Sequence, residues 1–261
     1  MMNIRKRLYD DFLRPSKERE YEEILKCACE NGYEFHTVLS FEKVIEEGVK
    51  EGKKYLILRR DVDTADFKIL RKLLALEKKY GAKATYYFRW NTLNVNLMND
   101  IAEAGGEASY HYEEVASYCF NHRIKNKELM LACIEDIREL FIKNYFNFKK
   151  ITSQPCLTVA SHGDFVNKII DEPSLILMNE RVRSETGIVR EAYDRERMDL
   201  LTCRIADQEA LDFFTEKSIS AIEGGEKVLE LLTHPRQWNS PFWVNFKEEV
   251  TRLIKGIYMK L

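Results

Sequence analysis

The stretch Tyr55-Leu56-Ile57-Leu58-Arg59-Arg60-Asp61-Val62-Asp63 sets two carboxylates one residue apart at the end of an apolar run. If the run is a strand, its period of two points Asp61 and Asp63 to the same side, so both reach one site at the strand's carboxyl end, a place where α/β proteins build active sites. Like charges held this close raise each other's cost of ionisation unless a cation or donor lies between them. The pair therefore predicts a metal or an arginine nearby. On the fragment alone, an Asp-rich turn with helix-capping duties accounts for the same residues about as well.

Working outward, the elements alternate. The first 30 residues are expected to be helix, with Tyr21, Ile24, Leu25 and Ala28 spaced three and four apart before a stop at Asn31-Gly32, and a second short helix is expected over 41–47. The strand at 54–58 is followed by a helix at 64–80, with Phe67, Leu70, Leu73, Leu74 and Leu76 on one face and Gly81 as its stop. Residues 83–88 are rich in β-formers, which completes a strand-helix-strand unit and predicts parallel pairing. The cycle repeats with a helix at 93–104, a turn at Gly105-Gly106, a strand at 107–110 and a long helix at 127–144. Apolar runs at 158–161, 174–177 and 228–233 are further strand candidates, 207–223 holds one more helix, and 244–258 is amphipathic. One domain spanning 1–261 is the simplest organisation, with an N-terminal helical extension over about 1–50 and a barrel over about 51–261.

Composition narrows the function. With 41 Lys plus Arg against 43 Asp plus Glu, the formal charge of -2 gives no global reason to expect a nucleic-acid or anionic-membrane partner. The basic start has no apolar segment behind it, and no run approaches the ~18–20 apolar residues of a transmembrane helix, so a soluble, cytoplasmic protein is expected. Six cysteines without a Cys-x-x-Cys pair are read as reduced and mostly buried thiols.

Of five histidines, His111, His162 and His234 each follow a strand candidate in a polar, turn-like context. In a barrel-like sheet the strand ends converge on one face, where these three can meet Asp61 and Asp63. A mixed His and Asp set suits a divalent transition metal such as zinc.

The chain resembles the polysaccharide deacetylase superfamily, of the carbohydrate esterase family 4 type, and most closely its branch with an Arg-His-Asp-Val-Asp first motif. The resemblance runs from about Tyr55 to Trp238. It covers Arg59-Arg60-Asp61-Val62-Asp63, the helix ending Leu76-Glu77-Lys78-Lys79-Tyr80-Gly81, and Ala84-Thr85-Tyr86-Tyr87-Phe88-Arg89. It continues with the segment from Gly105 to Glu113 carrying Tyr110-His111-Tyr112, then His162-Gly163 and Thr233-His234-Pro235 followed by Trp238. It implies a distorted (β/α) barrel of mostly parallel strands and metal-dependent hydrolytic removal of an acyl group from an N-acylated sugar or intracellular glycan precursor. Carried over, Asp61 is the general base, Asp63 and His111 are metal ligands, and His234 is the general acid.

The departures shape the remaining assignments. The second motif's next histidine is replaced by Val115, so a third ligand must come from elsewhere: His162 first, Glu113 second. Two further motif histidines are replaced by Arg60 and Gly106. Arg60, beside Asp61, is expected to favour its carboxylate form and to offer a donor to an anionic substrate, and Arg89, Glu113 and Trp238 complete the expected substrate-binding set. Zinc is the first choice of cofactor, and the partner is a small-molecule or oligosaccharide substrate. Two alternatives keep the fold: a catalytically impaired relative that binds carbohydrate or a partner protein, and an amidohydrolase acting on a non-sugar amide.

Overall fold

A computed structural model describes Phe12 and residues 14–210 and 213–260. Among them are β1 (Tyr33–His36), β2 (Lys54–Val62), β3 (Thr85–Phe88), β4 (Glu107–Tyr112), β5 (Thr158–Ser161), β6 (Arg190–Glu191), β7 (Cys203–Ala206) and β8 (Val228–Thr233). Their pairings are all parallel, in the order β6-β5-β4-β3-β2-β8-β7. The sheet curls into a half-barrel flanked by helices, and its end strands β6 and β7 do not pair with each other. Along one edge of β2, β1 pairs with the first half and β3 with the second, while β8 lies along the other edge.

Strand periodicity sorts the side chains into two layers. Outward from β2, Leu56, Leu58 and Val62 join the large core formed with the helices, as do Tyr86 and Phe88 of β3 and Tyr110 and Tyr112 of β4. Helix Phe67–Tyr80 contributes Ile69, Leu70, Leu73 and Leu74 to that core. It starts where Asp66 accepts a hydrogen bond from the Ile69 N–H at 3.2 Å and ends at Gly81, whose φ of 63° favours glycine. Each Leu or Ile so buried contributes roughly 1.5–3 kcal/mol relative to exposure. Inward, Tyr55, Ile57, Tyr87 and Ala160 form a smaller cluster with Val38 and Phe41. Above it the interior turns polar. Arg59 lies 4.3 Å from the Tyr193 ring, and Glu230 of β8 receives hydrogen bonds from Arg197 and Arg204. Charges this deep persist because they are paired.

Several expected elements differ. Within the expected N-terminal helical extension, helices Glu18–Glu30 and Val38–Glu47 flank β1, which belongs to the sheet; residues 14–17 of the expected first helix are not helical, and 1–11 and 13 lie outside the described residues. The run at 174–177 is a 3-10 turn, Ser174–Leu177, with no strand partner. The long helix expected at 127–144 is two helices, Lys127–Ala132 and Ile134–Thr152, parted at Cys133. Region 207–223 holds Asp207–Ala210 and Phe214–Glu223, with 211–212 outside the described residues. Cysteines were expected to be mostly buried, but only Cys119 and Cys156 are; Cys29 is exposed. Among the described residues no helix is long and apolar enough to cross a membrane.

Candidate metal centre and active site

Each inner row of side chains ends in a polar group at the carboxyl end of its strand. On β2 the row Tyr55, Ile57, Arg59, Asp61 continues to Asp63, and on β4 the row Glu107, Ser109 continues to His111 and Glu113. His162 and His234 follow the last residues of β5 and β8. Converging strand ends therefore bring together Asp61, Asp63, His111, His162 and His234.

Asp63 is the hub. Its Oδ1 lies 3.4 Å from His111 Nε2 and 3.5 Å from His162 Nε2, and its Oδ2 lies 3.6 Å from His234 Nε2. Although buried, Asp63 Oδ1 has no hydrogen-bond partner. Asp63, His111 and His162 each present a ligand atom within 4.8 Å of the others. Two imidazole nitrogens and a carboxylate oxygen suit a divalent transition ion, so the residues fit the metal that the resemblance implies.

The tautomers are set from behind. His111 Nδ1 faces the Ala160 carbonyl at 2.9 Å, which leaves Nε2 as a lone-pair donor toward Asp63. His162 turns its Nδ1 toward Glu113 Oε2 at 3.6 Å, and Glu113 is ion-paired with Arg89. Burial pushes the His162 pKa down to about 3, so the ring is neutral, the form that ligation requires. Burial works against ionisation of Asp63, but the charge that the surrounding histidines carry when protonated outweighs it and holds the carboxyl well below its ordinary value. A second group, Glu113, His162 and Asp164, also gathers within 4.8 Å. There Asp164 is already occupied, accepting from the Val166 N–H at 2.9 Å as a helix cap.

Asp61 sits one row deeper, 2% exposed, and is gripped from within its own strand: Arg59 Nε donates to Oδ1 at 2.9 Å and Nη2 to Oδ2 at 2.7 Å. Burial opposes its charge, the Arg59 guanidinium outweighs that, and the net direction is downward. His234 is held by Asp207, a residue that sequence reading missed. The His234 backbone N–H donates to Oδ2 at 2.6 Å and the ring Nδ1 lies 2.8 Å from Oδ1. Burial disfavours the imidazolium, yet Asp207 prevails and raises the His234 pKa to about 10.

Two expected substrate contacts are corrected. Arg60 points to the outer layer, where it is 2% exposed and bonded to Glu77 at 2.8 Å and Thr233 at 3.2 Å between the Tyr21 and Tyr86 rings. The arginine beside Asp61 is Arg59. Trp238 is fully buried against Tyr21 and Phe214 and presents no face to a sugar. Arg89 does line the cavity, whose volume is about 640 Å³ and which also exposes Asp63, His162 and His234. The positions where motif histidines are missing face elsewhere. Val115 is fully buried in the outer core, and a Cβ at Gly106 would meet Ile101 Cγ2 at 2.9 Å and the Ala84 carbonyl at 3.0 Å.

No protein-family model and no curated protein matches the chain. Solved structures are similar at low identity. The Streptococcus pyogenes deacetylase PplD in complex with acetate aligns with a TM-score of 0.42 and 14% identity, over 65% of this chain and 74% of that one. BA3943 from Bacillus anthracis, described as a CE4 family pseudoenzyme, gives 0.44 and 16% over 77% of this chain and 63% of that one. A mutant of BA3943 with restored enzymatic activity gives 0.46 and 15% over 77% and 65%. The chain thus spans under two thirds of both BA3943 structures.

Proposed function

We propose that the protein is a metal-dependent hydrolase that removes an acyl group from an N-acylated sugar or related glycan precursor. Asp63, His111 and His162 would hold the metal, with Asp61 as general base and His234 as general acid. The observation that carries this reading is the buried, unpartnered Asp63 Oδ1 facing two imidazole Nε2 atoms at 3.4 and 3.5 Å. A divalent transition ion bound there, zinc first, supplies Lewis-acid polarisation of the scissile carbonyl.

The chain's own groups supply the proton transfers. Asp61, kept ionised and oriented by Arg59, takes a proton from the attacking water as its oxygen forms the new bond to the acyl carbon. His234, tethered through Nδ1 by Asp207 and with Nε2 at the cavity wall 3.2 Å from the Gln208 side-chain amide, gives its Nε2 proton to the departing nitrogen as the C–N bond breaks. The products are a carboxylate and a free amine. Burial around Asp61 strengthens each of these interactions over its value in water.

Acetate release from N-acetylated amino sugars tests the reading. Asp61→Asn is expected to lower the rate by about 10²–10⁴-fold with metal still bound. Undiminished release in that variant removes Asp61 from its role. A second reading, a binding protein without turnover, draws support from the Arg59 fork, which engages both oxygens of Asp61 and lowers its basicity. A melting temperature raised by a glycan in protein that binds no metal favours it.

A further inference from the structure

Helix Phe242–Lys260 turns its polar face toward the protein and its apolar face outward. Glu248, Thr251, Arg252 and Lys255 line the cavity that exposes Asp63, Glu249 is ion-paired with Arg236 at 3.1 Å, and Tyr258 lies 5.0 Å from the Phe120 ring. On the opposite side Trp243, Phe246, Val250, Leu253 and Ile257 are all exposed, Trp243 at 77% and Leu253 at 64%, with Ile254 beside them at 62%. These five recur at spacings of three, four, three and four, the a and d positions of a heptad, and the four cavity-lining residues fall at b, c and f. Phe242, whose ring meets that of Phe12 at 5.3 Å, lies outside the stripe.

An amphipathic surface helix ordinarily buries its apolar side against its own core, whereas an a/d stripe is the narrow seam that a coiled coil buries against another helix. At these exposures the five side chains and Ile254 present about 700 Å² of apolar surface, above the roughly 300–600 Å² of the largest patch on a typical monomer. Two such faces set against each other remove about 1,400 Å² from water, inside the roughly 1,200–2,000 Å² of specific, stable interfaces. A twofold interface uses the same patch on both copies, and a heptad stripe pairs with its own kind. Its flanks carry Lys247 on one side and Glu249 on the other, so the stripe lacks the basic rim of a helix that lies on an anionic lipid surface.

We propose that two copies of this chain pair through the stripe from Trp243 to Ile257, helix Phe242–Lys260 of one packing along that of the other about a twofold axis. The pairing makes no use of the deacylase reading. It backs the helix whose inner face forms part of the cavity wall, so the second copy holds that wall in place.

Sedimentation of the full-length protein over about 0.1–100 μM tests the pairing. Wild type is expected at twice the 30.8 kDa chain mass in the upper part of that range. Trp243→Ser should weaken the dimer at least about tenfold, because a large aromatic in an interface carries much of its energy. Leu253→Glu combined with Ile257→Glu sets like charges into the seam and should give single chains throughout. Both side chains are exposed, so the circular dichroism spectrum should not change. If the double variant fails to fold, Trp243→Ser decides alone. Phe146→Glu, at an exposed position of helix Ile134–Thr152, should leave the mass at two chains.

Single chains at every concentration of wild type overturn the proposal. So does a dimer that survives the double substitution, or one lost only in Phe146→Glu. Wild type that is monomeric in solution yet sediments with vesicles of phosphatidylcholine and phosphatidylglycerol, and ceases to do so in the double variant, assigns the face to a lipid surface instead.

Discussion

Asp207 holds His234 twice, through the backbone N–H to Oδ2 at 2.6 Å and through the ring Nδ1 to Oδ1 at 2.8 Å. The imidazole is thereby locked in the orientation that turns Nε2 toward Asp63 and the cavity. With the folded pKa raised to about 10 over an unfolded value near 6.5, the pair's contribution to stability is complete below about pH 6.5. It fades as pH rises through about 10. In metal-free Asp207→Asn, the His234 titration midpoint followed by NMR is expected to fall to about 7 or below, with a stability loss at neutral pH of about 3 kcal/mol. A midpoint left unchanged would mean that Asp207 does not set it.

Glu114 gives a pH dependence of the other kind. It is 2% exposed, accepts hydrogen bonds from the Tyr110 hydroxyl and from Asn144 at 3.0 Å, and leaves Oε2 unpartnered. Burial pushes its pKa up to about 7. The folded state therefore binds more protons than the unfolded one between about pH 4.5 and 7, and stability falls by about 3 kcal/mol across that window. Glu114→Gln should flatten this slope and be the more stable protein at pH 8 in urea denaturation. Parallel slopes in the two proteins would show that Glu114 titrates alike folded and unfolded.

Arg60 tests the assignment of the two sheet faces. Its guanidinium is sandwiched 5.0 Å from the Tyr21 ring and 4.9 Å from the Tyr86 ring, and its partner Glu77 accepts from both tyrosine hydroxyls at 2.7 Å. Arg60→Ala leaves Glu77 as an uncompensated buried charge, for an expected stability loss of about 3–5 kcal/mol. Metal content of the folded fraction should be unchanged. Unaltered stability with altered metal content would place Arg60 on the inner face after all.

Much of this was legible in the sequence because strand alternation is a strong signal where apolar runs are long. The runs in β2, β5 and β8 and the β-former stretch of β3 mark those strands, and the three histidines at strand ends are found as a set. The same period of two that pairs Asp61 with Asp63 also puts Arg59 beside Asp61 and turns Arg60 away, a consequence available in the sequence but not drawn from it. Asp207 escaped notice because β7, Cys203–Ala206, carries an arginine and no apolar run, and its partner His234 is distant in sequence. The run at Ser174–Leu177 misled because four residues with three aliphatic side chains fit a buried turn as well as a strand. β6, two residues long, offers no pattern to read.

Metal stoichiometry tests the central claim most directly. Elemental analysis of the purified protein, after reconstitution with zinc, is expected to give about one equivalent in wild type. Asp63→Ala, His111→Ala and His162→Ala, each still folded by circular dichroism, should each lose it. Full metal content in the His162→Ala variant would contradict the ligand set, and no metal in reconstituted wild type would contradict the metal centre itself.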